Sequence, residues 1–227
     1  MPNTHKPYYE QDGIVIYHGD CRDLMDVLCG DLLVTDPPYG IKWDRGLNSA
    51  RWSKPQDGIA GDDDTSARDE LLTFWLPRPA IVFGSDLAPK PELTRHTLYW
   101  QKPADAGVYG SYLGFRRDVE LIFLCGDLPR RVPEWSSVLR SAIRSIGNPS
   151  SPAGKYGHPH AKPVDLLRKL IALSPGVVVD PFMGSGSTLI AARLEDRTAI
   201  GIELEEKHCE TAAKRLQQGA LPLEMGA

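Results

Sequence analysis

The chain is poor in cysteine and in aromatics and has no long apolar run. Its four cysteines among 227 residues, Cys21, Cys29, Cys125 and Cys209, have no short paired spacing. That excludes a disulfide framework, argues against a metal site, and leads us to expect reduced thiols in a cytosolic protein. No apolar stretch approaches membrane-spanning length, and residues 1–13 are polar, without a signal-peptide core. The net charge is only −4, which argues mildly against tight non-specific binding to nucleic acid. That charge is segregated, however. Residues 127–162 carry six Lys/Arg and two acids, whereas residues 44–70 carry four Lys/Arg and seven acids. Apolar residues make up 41%, enough for one globular core. We expect a single domain over 1–227.

Two stretches stand out. Asp36-Pro37-Pro38-Tyr39 follows the apolar run Leu32-Leu33-Val34-Thr35. Consecutive prolines restrict φ and remove two backbone donors, so the turn is stiff and rich in acceptors. Its carboxylate and carbonyls suit the hydrogens of a nucleobase amine, and its tyrosine offers a flat face. A plain Pro-Pro turn closing a strand is the alternative. Far downstream, Val177-Val178-Val179-Asp180-Pro181-Phe182-Met183-Gly184-Ser185-Gly186-Ser187-Thr188 reads as a buried strand entering a glycine turn that opens a helix. Another strand follows and ends at Glu203, about twenty residues on. The three spaced glycines of a dinucleotide site are missing, as is the lysine of a phosphate loop. An uncharged or zwitterionic nucleoside fits this pattern better than a pyrophosphate.

Together with His18-Gly19-Asp20-Cys21, Trp100-Gln101-Lys102-Pro103 and His158-Pro159-His160-Ala161-Lys162-Pro163, these pieces resemble the S-adenosylmethionine-dependent DNA amino-methyltransferases of the N4-cytosine/N6-adenine type. They span nearly the whole chain in the β-group order, with the catalytic tetrapeptide ahead of the cofactor loop. The resemblance implies an α/β, Rossmann-like methyltransferase fold with a circularly permuted motif order. Its sheet would have seven mostly parallel strands, one of them antiparallel. It also implies S-adenosylmethionine as cofactor, no metal, a DNA substrate, a possible homodimer, a possible cognate restriction enzyme, and the cytoplasm of a bacterial or phage-infected cell.

Periodicity agrees with an α/β chain. Strands are predicted at 14–17, 32–35, 80–83, 98–101, 119–124, 176–179 and 199–204, with 98–101 and 119–124 as antiparallel neighbours. Helices are predicted at 22–28, 69–76, 164–173, 189–195 and 207–217. Val164, Leu167, Leu170 and Ile171 are expected on one face of the third. Residues 40–66 and 127–161 lack periodicity. The first is expected to be a mobile loop and the second a short target-recognition insertion. The motifs fall at strand ends, where such sheets bind ligands.

The catalytic residues are then Asp36, Pro37, Pro38 and Tyr39. Asp36 and the Pro37 carbonyl would accept the amine hydrogens and stabilise charge developing on nitrogen, and Tyr39 would stack on an extruded base. On the cofactor side, Asp180 would hold the methionine ammonium or neighbouring backbone. Asp36, Pro181, Phe182, Gly184, Ser185, Gly186, Ser187 and Thr188 would line the pocket. Ser187 and Thr188 could instead cap the following helix. Glu203 would take the ribose hydroxyls, Asp20 the adenine amine, and Cys21 would lie against the ring. Lys162 matches a lysine that the family sets near the methionine end. His158 and His160 lack further ligands at metal spacing.

Candidate DNA contacts are Arg116, Arg117, Arg130, Arg131, Arg140 and Arg144, with Trp43, Trp52 and Trp135 as stacking groups or local packing. The recognition slot at 127–161 is short for the family. It points to a short target site, or to help from residues 40–66 or a second subunit. The resemblance favours adenine N6 over cytosine N4, because Asp leads the tetrapeptide. Methylation at cytosine C5 is disfavoured, since no Pro-Cys nucleophile sits in a turn and Cys125 falls within a predicted strand. Two rivals stand beside this reading: an RNA or protein N-methyltransferase, and a catalytically silent DNA-binding subunit.

Overall fold

The computed structural model describes residues 5–41, 62–102, 113–129, 135–141 and 161–219. Short apolar runs form its centre. Leu32, Leu33, Val34 and Thr35 are all buried, because a central strand is covered on both faces. Alternation divides them: Leu32 and Val34 join Ile14, Ile81, Ile122 and the helix residues Leu166, Leu167 and Leu170 on one side. Leu33 joins Leu71, Trp75, Val82 and Val179 on the other.

The described residues form one nine-stranded sheet, with strands β1 (Tyr9–Gln11), β2 (Ile14–His18), β3 (Leu32–Thr35), β4 (Ala80–Gly84), β5 (Thr94–Gln101), β6 (Val119–Cys125), β7 (Val138–Arg140), β8 (Val178–Asp180) and β9 (Ala199–Glu203). Their order in the sheet is β1-β2-β9-β8-β3-β4-β6-β5-β7. From β2 to β5 this is the expected seven-stranded core. In it only β6 runs against its neighbours, pairing antiparallel with both β4 and β5. The count of seven is corrected by two three-residue edge strands, too short to leave a periodic signal. β1 turns into β2 through Asp12 and Gly13, both at positive φ. β7 lies parallel to β5, inside the stretch read as irregular.

The helices are α1 (Ser66–Trp75), α2 (Val164–Ile171), α3 (Ser187–Leu194) and α4 (Glu206–Gly219). In α2, Leu166, Leu167, Leu170 and Ile171 are buried, so Leu166 takes the place expected for the half-buried Val164. The helix predicted over 22–28 is reduced to a 3-10 turn, Met25–Val27. Its amides bond three residues back, as in Val27 to Leu24 and Leu28 to Met25, a pattern that rarely extends. No helix of the described residues is long and apolar enough to cross a membrane.

Candidate active site

The carboxyl ends of the parallel strands bring the polar groups to one edge. His18, ending β2, pairs with Glu203, ending β9, and Asp180 ends β8. β8 lies parallel beside β3, the strand that Asp36 follows. Asp36 and the glycine loop, remote in the chain, therefore leave adjacent strands on the same side. Thr35 Oγ1 joins the two strand ends by donating to Asp180 Oδ1 across 2.8 Å.

In the glycine-loop half, the donors to Asp180 are neutral. Besides Thr35 they include the Phe182 amide at 3.2 Å and the Thr188 hydroxyl. Burial outweighs these bonds and pushes the carboxyl up to about 7. Asp180 thus bonds the neighbouring backbone at the Phe182 amide. Glu203 accepts from the Gly184 amide at 2.9 Å and the Glu205 amide at 2.8 Å, and burial raises its pKa. Each oxygen of Glu203 retains a lone pair for a further donor. Gly186 has φ +77°, and a Cβ there would stand 2.8 Å from Ala212 Cβ, so the loop fits closely over α4. Arg215 Nη1 clamps this fit by donating to Ser185 Oγ at 3.0 Å, to Ser187 Oγ at 3.3 Å and to the Ser185 carbonyl. Ser185, Ser187 and Thr188 are buried and occupied in these contacts. Neither Ser187 nor Thr188 caps α3, whose N-cap is Gly186. Pro181 is buried and Phe182 half-buried. Asp20 follows Gly19, whose amide donates to the Glu203 carbonyl, and its carboxylate faces Arg22 at 2.6 Å, which lowers its pKa. Burial pushes the Cys21 thiol up to about 12.

The Asp36 half is ionic. Lys162 Nζ lies 2.6 Å from Asp36 Oδ2 and 2.8 Å from Glu120 Oε1. The Tyr39 hydroxyl is 2.6 Å from Asp36 Oδ1 and 3.1 Å from Glu120 Oε1. Lys102 Nζ sits 2.7 Å from Glu120 Oε2. Burial and the two carboxylates raise the Tyr39 pKa well above the usual value, so the phenol stays a neutral donor. Burial opposes the charges on Glu120 and Lys162, but their partners prevail. Glu120 is held down to about 2, and Lys162 stays above the usual lysine range. Lys162 also stands 4.9 Å over the Phe83 ring. The turn closes at Gly40, whose amide donates to buried Asp62 at 2.8 Å.

Glu120 escaped the sequence reading because the strand-end rule does not look at strand starts. β6 runs backwards, so its second residue arrives opposite Trp100 at the carboxyl edge. A signal was present: an acid between Val119 and Leu121 in an apolar strand must be paired if it is buried.

Of the arginines, Arg116 pairs with Asp118 at 3.4 Å and Arg117 approaches Asp86 at 3.9 Å. Arg140 Nε donates to Gln101 at 2.9 Å. Arg116 and Arg117 precede β6 and Arg140 ends β7, at the same edge of the sheet. Exposed Trp135 lines a surface cavity of about 590 Å³ with Leu139, Arg140 and Lys169. Arg130, Arg131, Arg144, Trp43, Trp52, His158 and His160 lie outside the described residues, as do most of 40–66 and much of 127–161.

A family model described as DNA methylase matches residues 132–214, the part holding the glycine loop and Glu203. The type II methyltransferase M2.DpnII of Streptococcus pneumoniae is 41% identical, with 93% of this chain and 92% of that protein covered. The chain belongs to the N6/N4 DNA methylase family. This DNA methylase is also 27% identical to the type II methyltransferase M.ScaI of Streptomyces caespitosus, over 96% of its own length and 86% of the relative's. Its fold resembles the PvuII cytosine-N4-specific DNA methyltransferase, with TM-score 0.65, 16% identity, and coverage of 98% and 92%. It also resembles the M1.HpyAVI–SAM complex, with TM-score 0.59, 22% identity, and coverage of 89% and 98%.

Proposed function

We propose that this DNA methylase transfers a methyl group from S-adenosylmethionine to the exocyclic amine of a flipped base, adenine N6 in preference to cytosine N4. The observation that carries the reading is the Thr35–Asp180 bond between the Asp36 strand and the glycine-loop strand. The residues on the loop side fit the cofactor: a close-packed glycine turn, a strand-end glutamate with lone pairs to spare, and a buried aspartate whose donors are neutral. Two proteins of this fold, M1.HpyAVI and TTHA0409 of Thermus thermophilus, are seen in complex with the same cofactor.

S-adenosylmethionine supplies an electrophilic methyl carbon whose bond to sulfur breaks as the bond to nitrogen forms. The chain's own contribution is positioning. An amine conjugated with its ring is a weak nucleophile, and acceptors at Asp36 and the Pro37 carbonyl favour the tetrahedral nitrogen with its developing positive charge. The preference for adenine rests on Asp leading the tetrapeptide. Phosphate contacts by Arg116, Arg117 and Arg140, a short recognition site, a second copy of the chain and a cognate restriction enzyme belong to the same proposal, the last supported by the type II names of the relatives.

The test is incubation with methyl-labelled S-adenosylmethionine and unmethylated DNA, followed by digestion and mass analysis. N6-methyladenine is expected. N4-methylcytosine would overturn the choice of base. Label confined to RNA or protein, or none anywhere, would overturn the whole reading.

A further inference from the structure

Resting on that reading, we infer that Glu120 is a positioning residue, the alternate acceptor that takes up Lys162 and Tyr39 when a base amine engages Asp36. Both Asp36 oxygens are occupied here, Oδ1 by the Tyr39 hydroxyl and Oδ2 by the Lys162 ammonium. An amine that donates to Asp36 competes with these two groups. The Lys162 side chain is 12% exposed, so water compensates poorly for a lost partner, and an unpaired buried ammonium is costly.

Glu120 Oε1 already lies within reach of both groups, 2.8 Å from Lys162 Nζ and 3.1 Å from the Tyr39 hydroxyl. Neither group has to cross the site to change acceptor. Lys102 holds Glu120 Oε2 at 2.7 Å, which aims Oε1 inward and balances the second carboxylate. The groups around Asp36 are thus two carboxylates and two ammoniums, and one carboxylate can be handed to substrate without stranding a charge. The antiparallel course of β6 delivers this acid, and Glu120 acts through Lys162 and Tyr39 without touching the base.

The test compares steady-state kinetics of wild type, Glu120→Gln and Glu120→Asp, with cofactor affinity measured by calorimetry. Glu120→Gln keeps the shape and loses the charge, so kcat is expected to fall about 100-fold, while cofactor Kd changes by less than about 3-fold. Glu120→Asp keeps the charge and is expected to retain more activity than Gln. A packing role gives the reverse order, because Gln is the closer match in shape. Glu120→Gln/Lys102→Met removes one charge of each sign, which keeps a variant foldable should the single one fail, and it is expected to be as slow as Glu120→Gln. Wild-type kcat in either Gln variant, or Gln at least as active as Asp, would overturn the inference. Wild-type protein inert on DNA would instead defeat the methyl-transfer reading itself.

Discussion

Two neighbouring halves of one sheet edge treat their acids in opposite ways. At the end of β3, Asp36 and Glu120 share Lys162, and Lys102 adds a second cation. At the ends of β8 and β9, Asp180 and Glu203 are bonded by hydroxyls and backbone amides. The burial penalty is common to both halves, and the counter-ions decide the outcome. Glu120 is held down to about 2, whereas Asp180 is pushed up to about 7. The ionic half suits work on a neutral amine that becomes positive. Asp180 and Glu203, bonded by neutral donors, suit a ligand that brings its own positive charge, as a sulfonium amino acid does.

The largest expected effect breaks the ionic half. Asp36→Ala removes the acceptor and should lower transfer by about 10³-fold or more. Cofactor binding should change little, because the loop half keeps its bonds. Single-turnover methylation and calorimetry on one preparation check both statements, and retained turnover would take Asp36 out of its role. A smaller effect comes from the other half. Gly186→Ala puts a Cβ against Ala212 at positive φ and should cost about 1–3 kcal/mol of stability, with weakened cofactor binding. Thermal melting with and without cofactor reads this. An undiminished melting temperature would mean that the loop does not fit tightly over α4.

The smallest effect sharpens the contrast in charge. Asp180 ionises near 3.8 when unfolded and at about 7 when folded. Between these values the native state keeps a proton that the unfolded chain has lost, so this group's contribution to stability declines as pH rises from about 4 to 7 and is level above. Asn mimics the protonated acid. Asp180→Asn should therefore match wild type near pH 4, gain on it as pH rises towards 7, and hold that gain at pH 8. Urea unfolding across that range measures the difference. A gain at low pH instead would show that Asp180 is ionised throughout.

Much of this was legible in the chain. Leu32–Thr35 and Val177–Val179 are apolar runs broken by turn residues, and such runs become central strands wherever they lie in the sequence. The motifs at their ends were therefore assignable before any pairing was known. Other features were invisible for physical reasons. β1 and β7 are three residues each and depend on a neighbour for their existence. The turn at Met25–Val27 has helical composition, yet its amides bond three residues back. Ser185 and Ser187 look like ligand hydroxyls in the sequence. In the fold they face Arg215, about thirty residues away on α4.

By itself the sequence determined the stiff acceptor turn at Asp36, the glycine turn before α3 and the acid at Glu203, since backbone restriction and side-chain chemistry are local. Only the tertiary structure decided that these meet at one edge and that Glu120 and Lys102 join them. Strand order and direction are settled by which apolar faces bury one another, and a single reversed strand carries a residue from one end of the sheet to the other.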